Sequence, residues 1–216
     1  MESLIQAITV YALPVLFGIT LHEAAHGYVA RMFGDPTAYQ AGRVSLNPIR
    51  HVDLVGTIIV PLVLLFGTKL LGGGGLLFGW AKPVPVDWSR LNRPKRDMLW
   101  VALAGPASNL LMAILWAVEL RLLTSGGAGM SSFWVQMAIA GVQINLVLMA
   151  LNLFPLPPLD GGRIVFSLLP GPLAYKYSRL EPYGLVILLV LMMTGVLWKL
   201  LIPLLMLGQT IVTWFL

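Results

Sequence analysis

The sequence predicts an all-α polytopic membrane protein: one bundle of about 4–6 transmembrane helices, with a re-entrant segment and short β-strand or edge elements beside its polar centre. Three observations carry this. Hydrophobic residues make up 58% of the 216 and charged residues only 11%, against about 45–50% and about 25% in an ordinary soluble domain. Mean hydropathy is +0.85, and the apolar runs are too long to be strands. The 14 Lys and Arg against 9 Asp and Glu leave a charge of +5, but the basic residues lie between the apolar runs, as membrane topology places them, so no nucleic-acid partner is expected. Cysteine is absent. That excludes a disulfide framework, a thiolate metal site and a Cys nucleophile, so any metal must rely on His and carboxylates.

The chain reads as a single domain, 1–216, with its core over about 4–164 and membrane segments over 183–216. The first apolar block, 4–32, is preceded by Glu2 and by no Lys or Arg, so it lacks the basic start of a signal peptide. Further blocks cover 54–71, 98–123, 133–154 and 183–216. At about 1.5 Å per residue the last would be about 51 Å long, well beyond a hydrocarbon core of about 30 Å. A break near Pro203 is therefore expected.

Three connections join these blocks. Within 34–53, Val44 and Leu46 alternate with polar neighbours as in a short strand. The stretch 72–97 opens with Gly72 to Gly75, which lack the Lys-Ser/Thr of a phosphate loop and read as a hinge. It continues through Trp80 to Val86, where Pro83 and Pro85 favour an extended edge. The third connection, 124–132, is Gly-rich and uncharged, as a short link between neighbouring helices would be.

Inside the first block stands His22-Glu23-Ala24-Ala25-His26. A spacing of four puts both imidazoles on one helical face, one turn apart, where they can share a zinc ion, and Glu23 sits where it can take a proton from zinc-bound water. Three ionisable groups in a membrane helix are costly and mark function. Catalytic zinc usually takes three protein ligands. His51 and Asp160 are the candidates for the third. His51 lies beside Arg50 in a basic loop, where a solvated or capping role is ordinary. Asp160 follows the fourth block after Pro155, Pro157 and Pro158, and its plain reading is a turn or N-cap before Gly161.

Taken together, these motifs resemble the site-2 proteases, zinc metalloproteases that cut other membrane proteins within the bilayer. The resemblance rests on His-Glu-x-x-His in a membrane helix and, downstream, on Asn-x-x-Pro-x-Pro-x-x-Asp-Gly, filled here by Asn152, Pro155, Pro157, Asp160 and Gly161. It covers about 4–164 and is to a short form without a PDZ or CBS domain. It implies one zinc per chain on His22, His26 and Asp160, with Glu23 as general base and Asn152 steadying the oxyanion or the substrate strand. Ala104-Gly105-Pro106-Ala107-Ser108-Asn109 is similar to the family's Gly-x-x-x-Asn element, so Asn109 would hold substrate near the metal. Small residues of this kind also serve simple helix packing. The implied activity is hydrolysis of peptide bonds in or near transmembrane segments of other proteins, with a transmembrane protein substrate and the lipid bilayer as partners.

Two other readings compete. A prenyl-protein protease also uses His-Glu-x-x-His but commonly a Glu as third ligand, and the only later Glu residues are Glu119 and Glu181. A non-catalytic metal-binding scaffold or transporter would have no need of Glu23.

Topology adds one expectation. A metal shared by His22, His26 and Asp160 needs the end of the first block and the end of the fourth at one depth, so 54–78 should dip into the bilayer and return. Lys and Arg agree: nine lie within 31–97 and three within 156–182, against Arg121 alone in the opposite connection. By the positive-inside rule the basic face is cytoplasmic. A multi-pass protein of a prokaryotic cytoplasmic membrane is expected, its site opening toward the cytoplasm.

Overall fold

Proline placement explains where most of the helices begin and end. In the computed structural model, which describes residues 2–51, 53–59 and 82–216, eight α-helices form among the described residues. These are α1 (Glu2–Met32), α2 (Thr37–Gln40), α3 (Pro94–Ser125), α4 (Phe133–Leu153), α5 (Asp160–Leu168), α6 (Gly171–Ser178), α7 (Glu181–Met193) and α8 (Val196–Thr213). Pro94 opens α3 at a position where a missing N–H costs nothing. The Asp97 carboxylate reaches back to the Arg93 amide at 2.6 Å and lies in the positive first turn. At the end of α4, Phe154 turns extended because Pro155 follows it.

Three of these helices, α3, α4 and α8, are long and apolar enough to cross a membrane. The 31 residues of α1 rise about 46 Å, but its last third carries the polar cluster. A seven-residue link, 126–132, joins α3 to α4, and both pack against α1. Ala113, Trp116 and Ala117 of α3 meet Met137, Leu146 and Met149 of α4, closed at either side by Val10 of α1 and Val212 of α8.

Two expectations are corrected. The C-terminal block breaks at Gly195, where φ is +72°, and Pro203 lies inside α8. A left-handed residue turns the chain sharply and glycine adopts it at little cost, whereas a proline within a membrane helix removes only one N–H. No strand forms among the described residues. After Val44 and Leu46 the chain turns at once, as Asn47 accepts from the Ile49 amide at 3.1 Å to start a 3-10 turn, Pro48–Arg50. Residues 82–87 take no regular secondary structure and pair with no strand among the described residues, and neither Pro83 nor Pro85 has an N–H to build one.

That segment is instead pinned one amide at a time. Lys82 N donates to His51 O at 2.9 Å, Val84 N to Glu23 Oε2 at 2.7 Å, and Asp87 N to the buried carboxylate of Asp35 at 2.7 Å. Arg43 adds a bond to the Lys82 carbonyl at 2.6 Å. Of the expected re-entrant stretch, 54–59 is a π-helical turn capped by Asp53, which accepts from Gly56 N at 2.6 Å. Residues 60–81, and with them Trp80 and most of that stretch, lie outside the described residues.

Candidate metal centre

A four-residue spacing on α1 aims two imidazoles at one point. The His22 and His26 Nε2 atoms stand 3.0 Å apart, and Asp160 at the start of α5 brings Oδ2 to 3.1 Å from the first and 3.2 Å from the second. All three side chains are buried. Asp160 does not cap its helix; its carboxylate faces α1.

The far side of each imidazole decides what this triangle is. His26 Nδ1 is 2.6 Å from the Val101 carbonyl, which only accepts, so Nδ1 carries the proton. His22 Nδ1 is 2.7 Å from Asn109 Oδ1, with the same consequence. Both Nε2 atoms therefore present lone pairs, and Asp160 Oδ2, buried with no donor, presents a third. Three acceptors converging on one point require a cation between them. Bonds of about 2.0–2.1 Å in a tetrahedron put ligand atoms about 3.3 Å apart, close to the spacing here. Gly105 of α3 provides the clearance, since a Cβ there would lie 2.4 Å from His26 Nε2 and 2.6 Å from His22 Nε2. These residues fit a zinc ion.

Glu23, half-buried and one residue from His22, has one oxygen engaged by the Val84 amide. Asn109 is fully buried and spent on His22, Gly18 and Asn145. Asn152 donates to Leu148 O of its own helix at 3.0 Å, and no hydrogen bond ties it to the three ligand atoms. His51 is buried elsewhere, its Nε2 2.9 Å from Ser45 O. Neither His51, Glu119 nor Glu181 belongs to the His22-His26-Asp160 group, which alone among the described residues gathers three metal-ligating side chains. Two contributors escaped the sequence reading. Gly105 was visible only as part of a small-residue motif, and the signal for Asn145 was a primary amide in the middle of an apolar helix.

Residues 123–195, which contain Asn152, Asp160 and Gly161, match Peptidase family M50. Over 195 residues the chain is 40% identical to "Putative zinc metalloprotease YwhC" of Bacillus subtilis, covering 87% of this chain and 83% of that protein. The chain belongs to peptidase family M50, the site-2 proteases. It is also similar to "Putative zinc metalloprotease Rip2" of Mycolicibacterium smegmatis, at 29% identity over 83% of this chain and 64% of the relative. The archaeal "Putative zinc metalloprotease MJ0611" of Methanocaldococcus jannaschii is 26% identical over 68% and 64%. No solved structure matches it. This M50 chain is thus a zinc metalloprotease with a buried His-His-Asp metal-binding group, and the substrates of such a family are proteins.

Proposed function

We propose that this M50 protease hydrolyses peptide bonds in or near transmembrane segments of other membrane proteins, with one zinc per chain on His22, His26 and Asp160. The observation that carries the reading is the convergence of three buried acceptors: two imidazole nitrogens whose ring protons are spent on the far side, and a carboxylate oxygen with no donor. Zinc held there supplies Lewis-acid activation of water and of the peptide carbonyl. Glu23 takes the proton of the attacking water and passes it to the leaving amine. Its oxygen on the Val84 amide keeps the carboxylate oriented while the other oxygen is free to accept. Asn152 has an N–H beyond the one given to Leu148, and that donor serves the oxyanion. Asn109 acts from behind His22 and not on the substrate, because both polar atoms of its side chain are engaged in the buried network.

Exposing a backbone to hydrolysis means unwinding a helix, and each unpaired group in lipid costs several kcal/mol. Residues 82–87 offer a partner. Val84 ties them to Glu23, and Pro83 and Pro85 make that edge rich in acceptors and poor in donors.

The orientation follows from charge and from the flanks of 54–81. His51 O and Lys82 N are bonded to each other, so the chain leaves and returns at one place, which supports re-entry over crossing. The basic connections then face the cytoplasm of a prokaryotic membrane, and the site opens there. Single Cys residues at Arg50, Arg90 and Ser125 in this cysteine-free chain test it: a membrane-impermeant thiol reagent should give 50 and 90 one accessibility and 125 the opposite. Opposite reports from 50 and 90 would refute re-entry.

Activity is tested with Glu23→Gln in detergent or vesicles. Cleavage of a transmembrane substrate should fall by about 10²–10⁴-fold while zinc content stays at one per chain. Undiminished cleavage removes Glu23 as the base. Membrane-protein fragments that accumulate with wild type and not with Glu23→Gln identify the substrates.

A further inference from the structure

We propose that Asn109 and Asn145 form a positioning pair that keeps the metal-facing nitrogen of His22 free of its proton; this rests on the zinc-hydrolase reading above. The two imidazoles are oriented by different means. His26 leans directly on a backbone carbonyl, which can only accept. His22 leans on a side-chain amide, and an amide has two ends of nearly equal size. Turned by 180°, Asn109 would present its NH₂ to His22 Nδ1. The imidazole proton would then move to Nε2 and occupy the lone pair that the metal needs.

What holds the amide the right way round lies on its far side. Asn109 Nδ2 donates to Gly18 O at 3.0 Å and to Asn145 Oδ1 at 3.1 Å. Asn145 is fixed in turn, because its own Nδ2 donates to Gly141 O at 2.9 Å. Direction thus passes from a carbonyl that can only accept, through two amides, to one imidazole, and every link has a single sense. Both asparagines have 0% exposure, so no water can stand in for a lost partner. A glycine at position 18 admits Asn145 to α1, since a Cβ there would lie 3.0 Å from Asn145 Oδ1. Asn145 touches none of the ligand atoms, and its role is exercised through Asn109.

With three histidines in the chain, ¹⁵N-histidine NMR of the full-length protein in detergent can follow each ring, and competition against a chelator measures zinc affinity in the same samples. In Asn145→Leu, zinc affinity should weaken about tenfold, in the range found when a partner of a ligating His is removed. The His22 Nδ1–H signal should shift or split while the ring N–H signals of His26 (Nδ1) and His51 (Nε2) hold, reporting an intact fold. Asn145→Asp should restore both readouts. Buried and protonated, its O–H replaces the N–H toward Gly141 O, and its other oxygen still accepts from Asn109. If the leucine disturbs His26 or His51, Asn145→Ala, which adds no bulk, repeats the measurement. Wild-type affinity and an unmoved His22 proton in the Leu and Ala variants overturn the proposal, and so does an Asp variant as impaired as Leu, which marks a packing role. A wild-type chain that takes up no zinc instead defeats the hydrolase reading, and the His22 proton in the same variants still decides the pair.

Discussion

The metal centre and the C-terminal helix pair are built on opposite rules within one apolar bundle. Around His22, His26 and Asp160, α1, α3, α4 and α5 bury Asn109 and Asn145 as well, and hydrogen bonds run from His22 through Asn109 to Asn145 and Gly18. Between α7 and α8 the buried residues are Leu188, Leu197 and Leu201, and the hydroxyl of Thr194 bonds only to carbonyls of the preceding helix turn. In the first region hydrogen-bond sense fixes each atom's position. In the second, filling the volume suffices. A change of one atom should therefore be severe near the metal and mild in the tail.

The largest effect is expected for Asp160→Ala, which removes one of three converging acceptors. Metal analysis should show zinc lost from the purified chain and cleavage at background. Full zinc with full activity would break the ligand set and the contrast with it.

Next comes a matched pair of additions. Gly105→Ala places a methyl 2.4 Å from His26 Nε2, against rings locked from behind by Val101 and Asn109. Gly208→Ala in α8 places one 2.7 Å from Leu146 Cδ2 and Met149 Cε, both ends of flexible side chains. Zinc content and cleavage should collapse in the first variant and stay near wild type in the second. Equal losses would show that the tail is as tightly specified as the centre.

The smallest effect is expected for Gly195→Ala. A left-handed residue with a Cβ costs about 1–2 kcal/mol, so the unfolding midpoint should drop by about 2–8 °C for a chain of this size. Zinc stoichiometry should not change. A loss of zinc there would mean that the α7–α8 turn helps to hold the centre together.

The two regions also differed in how far they could be read in advance. His22, Glu23 and His26 were legible because a helix of fixed period converts a spacing of four into one face. The break in the tail was not. Pro203 is the stronger breaker in isolation, but the turn falls at Gly195, which takes the left-handed conformation between α7 and α8 as they pack on each other. The expected strand at Val44 and Leu46 failed for a related reason, and the described part of the expected edge at Trp80 to Val86 joins no strand among the described residues: alternation and prolines describe an extended chain, and only a partner strand makes it a sheet.

By itself, then, the sequence determined the membrane class, the helical blocks, the two metal-facing histidines and, through family resemblance, Asp160. Those depend on composition and on short-range periodicity, which one chain segment carries alone. The tertiary structure decided that Asp160 faces α1 instead of capping α5, that Gly105 clears room over both histidines, and that Asn145 orients Asn109. Each of these is a meeting of atoms from different helices, and the direction of a hydrogen bond or the absence of a methyl has meaning only once the opposing helix is in place.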